Sequence, residues 1–185
     1  MLVMTAVLVL AAASGGASEC SKDAKNLLAK SDCGFATGIK GWDSGTRGKI
    51  SHEAREGAPL PGALKGVGPE ATLEVEGPCL PAKPKTAYRF GGRFRLISGE
   101  TYVCGAQVHH YSDAACQDNL GILSAMADLA TKEWQALDPA RRPEAGPNQG
   151  VATTTAETRA MKLVLGCSGT PGFAVLFDDV WVNEP

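Results

Sequence analysis

"YRFGGRFRL", residues Tyr88 to Leu96, places Tyr88, Phe90, Phe94 and Leu96 on one parity and Arg89, Arg93 and Arg95 on the other. Successive side chains of a strand point to opposite faces, so this stretch reads as a half-buried strand with an aromatic inner face and a basic outer one. The pattern recurs on both sides. Upstream, "ATLEVEG" from Ala71 sets Leu73 and Val75 against Thr72, Glu74 and Glu76; downstream come "TYVCGAQVHHY", "TRAMKLVLGC" and the closing "FAVLFDDVWV". Period-2 runs bounded by Gly and Pro turns are the pattern of a sandwich or barrel. With 22 glycines, 11 prolines and 6% aromatic residues, the composition suits many short elements joined by turns. "LGILSAMADLATKEWQAL", Leu120 to Leu137, is rich in helix formers. A sandwich needs a strand near Trp134 instead, and we read strand there, because tertiary context overrides propensity. Asp138 to Gly150, rich in proline and glycine, reads as a surface loop.

The 185 residues suit one domain with a full core, and a net charge of -2 gives no basic footprint for nucleic acid. Leu2 to Ala13 is apolar but too short to span a bilayer, and it ends in the small residues Gly15-Gly16-Ala17. We read residues 1–17 as a secretory signal peptide, without the usual basic n-region, and 18–185 as a single domain, a monomer with no transmembrane segment. A lipid anchor on Cys20 is the alternative, although Glu19 stands where a bacterial lipobox has Gly or Ala. Six cysteines behind a secretory signal point to disulfides and to a secreted or cell-envelope protein. No C-x-x-C pair is present, which argues against zinc or a thioredoxin-like motif. About fifteen connectivities are open. Of these we expect Cys20–Cys33 as a local staple of the N-terminal segment and Cys104–Cys167 between strands that lie close together. Cys79–Cys116 then remains by elimination.

Four stretches fall in a familiar order: "NLLAKSDCGFATGIKGW" (Asn26 to Trp42), "ISHEAREGAPLPGALKG", "KTAYRFGGRFRL" and the closing "AVLFDDVWV". Together, over roughly Asn26 to Val182, they resemble the family 4/9-type carbohydrate-binding modules. These are jelly-roll domains of the galactose-binding-domain-like group. The resemblance implies an antiparallel β-sandwich and non-catalytic binding of a carbohydrate. In modules of this type a carboxylate of the D-D/N-V position often serves a structural calcium, helped by an acidic residue after the N-terminal Phe. Here Ala36 takes that acidic place, and Arg93 stands where the concave face of family members often presents Trp.

No catalytic constellation survives inspection. "HEARE" lacks the second His of a zinc-protease helix, a G-x-S-x-G elbow is missing, and the adjacent His109 and His110 point to opposite faces of a strand. We read the protein as not an enzyme. Sugar recognition needs planar polar groups for hydroxyls and an aromatic for the apolar sugar face. The outer parity of the two consecutive strands offers Arg93, Gln107, His109 and Tyr111 as ligand-binding candidates, with Arg93 and Tyr111 expected on one open face. The alternative is a solvated strand face on a structural or surface-interaction domain without sugar binding. Asp178 shares its parity with Leu176, Val180 and Val182, and a carboxylate so placed needs partners. We expect it to accept backbone N–H groups of the first loop and so join the chain ends. The alternative is a structural calcium held with Asp32 or Asp43. Asp179, on the other parity, is expected to matter less to stability.

Overall fold

Leu73, Val75, Tyr88, Phe90, Phe94, Val108, Leu163, Leu165, Val175 and Phe177 are all at 2% exposure or less, so each alternating run buries the parity read from its sequence. Burying one such side chain contributes about 1.5–3 kcal/mol, which is what holds each strand to its face. The computed structural model describes Cys20 and residues 25–28, 33–137 and 150–184. The signal-peptide reading of residues 1–17, the proposed metal ligand Asp32 and most of the expected loop at 138–149 lie outside the described residues.

Eleven strands follow in chain order among the described residues: β1 (Lys49–Glu53), β2 (Ala63–Gly68), β3 (Thr72–Glu76), β4 (Leu80–Pro81), β5 (Ala87–Ser98), β6 (Thr101–Tyr111), β7 (Asn119–Asp128), β8 (Gln135–Leu137), β9 (Val151–Thr153), β10 (Ala160–Gly169) and β11 (Phe173–Asn183). A six-stranded sheet runs β1-β2-β11-β5-β8, with β9 also on β5, and a five-stranded sheet runs β3-β10-β6-β7, with β4 also on β10. Every pairing is antiparallel. The inner faces share one apolar core, and the protein is an all-β antiparallel sandwich. The helix-forming stretch from Leu120 is strand β7, followed by β8 immediately after Trp134.

The cysteines are joined as Cys20–Cys33, Cys79–Cys116 and Cys104–Cys167. Cys104 and Cys167 stand directly opposite in the β6–β10 ladder and point into the core. Cys79 precedes β4 and Cys116 lies in the β6–β7 connection, so their bridge crosses the outer face above β10.

Consecutive strands β5 and β6 do not pair. They belong to different sheets, and the turn at Gly99, with φ 76°, carries the chain across the sandwich. Arg93 and Tyr111 therefore do not share an open face, contrary to the expectation from sequence. Matching parity in two neighbouring strands means one face only when the turn closes a hairpin.

The paired aspartates also depart from alternation. Asp178 accepts the Ala58 N–H at 2.6 Å and the Asp179 N–H at 2.7 Å, so its docking partner is the β1–β2 loop and not the first loop. Asp179 has φ 50° at a register shift in β11, and this bulge turns its side chain into the fold beside Asp178. Both carboxylates are 2% exposed. Asp179 accepts the Cys20 N–H at 2.8 Å and Arg93 Nε–H at 3.3 Å. The chain ends are joined by Asp179 and by Asn26, whose Oδ1 accepts the Val182 and Leu28 N–H groups. The reading of Asp179 as the lesser residue is thus corrected.

Candidate functional site

The inward parity of β10 and β6 fills the core, which leaves Lys162, Val164, Gly166 and Ser168 on β10, with Val103, Gly105, Gln107 and His109 on β6, facing out. β3 adds Thr72, Glu74 and Glu76 to this face, and β7 adds Ala125 and Ala127. Gly166 pairs with Gly105 on one side and Glu74 on the other, so the centre of the face has no side chains. A Cβ on Gly166 would meet only the Leu73 carbonyl oxygen, at 3.4 Å. A Cβ on Gly105 would stand 2.1 Å from the Met126 carbonyl oxygen, so only glycine allows β7 to approach and form a wall. The result is a groove of about 230 Å³ over the two glycines.

A second depression of about 210 Å³ adjoins it, built by Glu74, Glu76 and the loop from Asp43 to Arg47. Both are lined by Arg47 and Glu74, whose Nη1 and Oε2 atoms are 2.7 Å apart. The loop carrying Arg47 is held by the Asp43–Glu76 backbone bridge and by Ser44 Oγ–H donating to the Gly48 carbonyl.

Of the four ligand candidates, Gln107 lines the groove and His109 stands beside it, its Nε2 3.1 Å from Gln107 Oε1. Burial pushes the His109 imidazole below the usual histidine range, which keeps it neutral near pH 7. Tyr111 is on the same face but is buried with Cys116 and Ala160, beneath the Cys79–Cys116 bridge. It is not open to a ligand, and burial raises its phenol. Lys162 reaches from β10 to Glu76 at 2.7 Å and lies 5.8 Å from the centre of the Tyr111 ring. Burial alone would lower its ammonium, but Glu76 together with Tyr111 and Asp43 outweighs this and holds it above the ordinary lysine value. Arg93 is on the other sheet, tied to Asp179. Sequence reasoning missed Arg47, Glu74 and the two floor glycines. Isolated glycines inside strand patterns signal close approach, so Gly105 and Gly166 carried a usable sign.

His110 points away from His109 and bonds Thr158 Oγ1 through Nδ1 at 2.9 Å. Among the described residues no group of three His, Cys, Asp or Glu side chains converges as a metal site would require. Among the described residues the oxygen set that calcium needs is not assembled at Asp178. Each of the Asp178 oxygens already accepts one N–H, Ala36 is exposed, and Asp43 belongs to the edge of the other sheet.

No family model and no curated protein matches the chain. Solved structures do. The module TmCBM61, determined with β-1,4-galactotriose, aligns at 16% identity over 86% of this chain and 99% of its own, with a TM-score of 0.56. The CBM22-1 xylan-binding domain of Paenibacillus barcinonensis Xyn10C aligns at 16% identity over 82% and 91%, with a TM-score of 0.53. An arabinose-bound GH51 α-L-arabinofuranosidase aligns at 12% identity over 87% of this chain but 26% of its own, with a TM-score of 0.62. The fold is therefore the jelly roll of carbohydrate-binding modules, and the module neighbours belong to families 22 and 61, not to the 4/9 type named from the motifs.

Proposed function

We propose that this chain is a non-catalytic carbohydrate-binding domain that holds a glycan in the groove over Gly105 and Gly166. The observation that carries the reading is a concave, glycine-floored groove rimmed by amide, carboxylate and guanidinium groups from Gln107, Glu74 and Arg47, with the His109 imidazole beside it. Such groups match sugar hydroxyls as donors and acceptors. Likeness to a galactotriose complex and to xylan-binding modules supports it. The three disulfides fit an oxidising, extracytoplasmic setting, and we propose that the domain acts there as a monomer without a cofactor. Kinship with the 4/9 type in particular rests on the order of the four motifs.

A second reading, an interaction domain that keeps the fold without binding sugar, is favoured by one feature. Among the described residues lining the groove none is aromatic, so they offer the apolar face of a pyranose no ring to stack on. A glycan array followed by calorimetry with β-1,4-galactotriose and xylohexaose separates the two. We expect binding that Gln107→Ala weakens about fivefold, the loss of one hydrogen bond of about 1 kcal/mol, and that Arg93→Ala leaves unchanged. An empty array supports the interaction domain.

A further inference from the structure

Resting on the carbohydrate reading, we infer that the Arg47–Glu74 ion pair is a gate between the two depressions and sets the length of glycan the groove accepts. Each depression alone, about 230 and 210 Å³, falls below the roughly 300–1,000 Å³ of ordinary ligand sites, whereas the two joined would reach it. Among the described residues, the side chains lining both are Arg47 and Glu74, and their contact at 2.7 Å lies where the two meet. A glycan confined to the glycine floor leaves the pair intact. A longer one has to part it to reach the pocket formed by Asp43, Ser44 and Glu76.

The energetics suit a gate more than a wall. Arg47 is 67% exposed and Glu74 32%, and exposed ion pairs are worth about 0–1 kcal/mol. Longer glycans can therefore part the pair, at a penalty of up to about fivefold in affinity. Salt screens an exposed pair, so this penalty shrinks as ionic strength rises. Arg47 sits on a loop at the β3 edge and reaches Glu74 across 27 positions of sequence, so its removal leaves the core untouched.

The test is a ladder of β-1,4-galacto-oligosaccharides and xylo-oligosaccharides of two to six units, measured by calorimetry on the native protein, Arg47→Ala, Glu74→Gln and Arg47→Lys. We expect Arg47→Ala and Glu74→Gln each to raise the ratio of hexamer to dimer affinity by up to about fivefold, over and above any loss common to every length of the ladder. Arg47→Lys, which keeps the pair, holds the native ratio, and 0.5 M NaCl moves the native ratio toward that of Arg47→Ala. An unchanged ratio in both releasing variants overturns the gate, as does selective loss of hexamer binding in Arg47→Ala, which would make Arg47 a ligand contact. In both cases sugar binding itself stands. Failure of the native protein to bind any member of the ladder removes the carbohydrate reading and the gate together.

Discussion

On the outer side of the six-stranded sheet, Leu176 and Asp178 are 2% exposed or less, whereas on the outer side of the five-stranded sheet Glu74, Glu76, Gln107 and His109 all reach the surface. Both sheets come from the same kind of alternating strand. They differ in what crosses them. The β1–β2 loop docks on the first through the Ala58 N–H, and Cys20 of the N-terminal segment docks beside it on Asp179. The second is crossed at one end by the Cys79–Cys116 bridge and is open above Gly166. A covered polar group must find its partners inside the fold, while an open one finds them in water or ligand. The covered face thus carries stability and the open face is available for recognition.

The largest effect that would break this comparison lies at the aspartates. Asp178→Ala leaves two buried N–H groups, those of Ala58 and Asp179, without acceptors, and we expect it to cost about 2–4 kcal/mol in denaturant melts. Asp179→Ala strands the Cys20 N–H and frees Arg93, and we expect a loss of similar size, reduced where water reaches the partly exposed guanidinium. Gln107→Ala on the open face should shift the midpoint by under about 0.5 kcal/mol. Equal losses at Gln107 and Asp178 would contradict the division of roles.

A smaller effect sharpens it through pH. Burial pushes Asp178 up to about 7 against the pull of its two backbone hydrogen bonds, and the charge of Asp179 adds to the rise while Arg93 opposes it. The folded value lies above the unfolded one of about 3.9, so the folded state holds the proton more tightly. This contribution to stability is full below pH 3.9 and is lost as pH rises through 7. Between pH 5.5 and 8.5 the loss is on the order of 2 kcal/mol. His109 and His110, both lowered by burial, act in the opposite direction and cost stability in acid below about 6.5. The difference between the native protein and Asp178→Asn isolates the aspartate: the native midpoint should fall faster above pH 6, and parallel curves would refute the assignment.

Parity within a strand was legible because it is local. Leu73, Val75, Cys104 and Cys167 all point inward, as two-residue periodicity requires. Sheet membership was not. A short turn after Ser98 looks the same in sequence whether it closes a hairpin or crosses between sheets, so matching parity suggests one face for Arg93 and Tyr111 although a whole core separates them. The Asp179 bulge is hard to read for a related reason, since Asp adopts a positive φ more often than most residues but still rarely, and its identity alone does not mark the bulge. The Arg47–Glu74 pair depends on a loop folding back across β3, and nothing local encodes that. The stretch that opens at Asn26 reads in sequence only as a pattern, whereas its physical content is the Asn26 amide, which holds the last strand at Val182.

The smallest expected effect is that of calcium. An ion at Asp178 would need six to eight oxygens and would have to displace the N–H donors of Ala58 and Asp179, which lie 2.6 and 2.7 Å from the carboxylate oxygens. Those donors carry partial positive charge toward the site where the cation would sit. The second carboxylate, Asp179, is engaged by the Cys20 N–H and Arg93, and a guanidinium 3.3 Å away repels a cation further. Hydrogen bonds already supply what the ion would supply, namely a link between β11 and the segments laid over it. We therefore expect the thermal midpoint to be the same in EDTA and in millimolar calcium, with Asp178→Ala lowering both equally. A midpoint that calcium raises and chelator lowers, with the response abolished in Asp178→Ala, would replace the hydrogen-bonded account of the covered face with a metal-bound one.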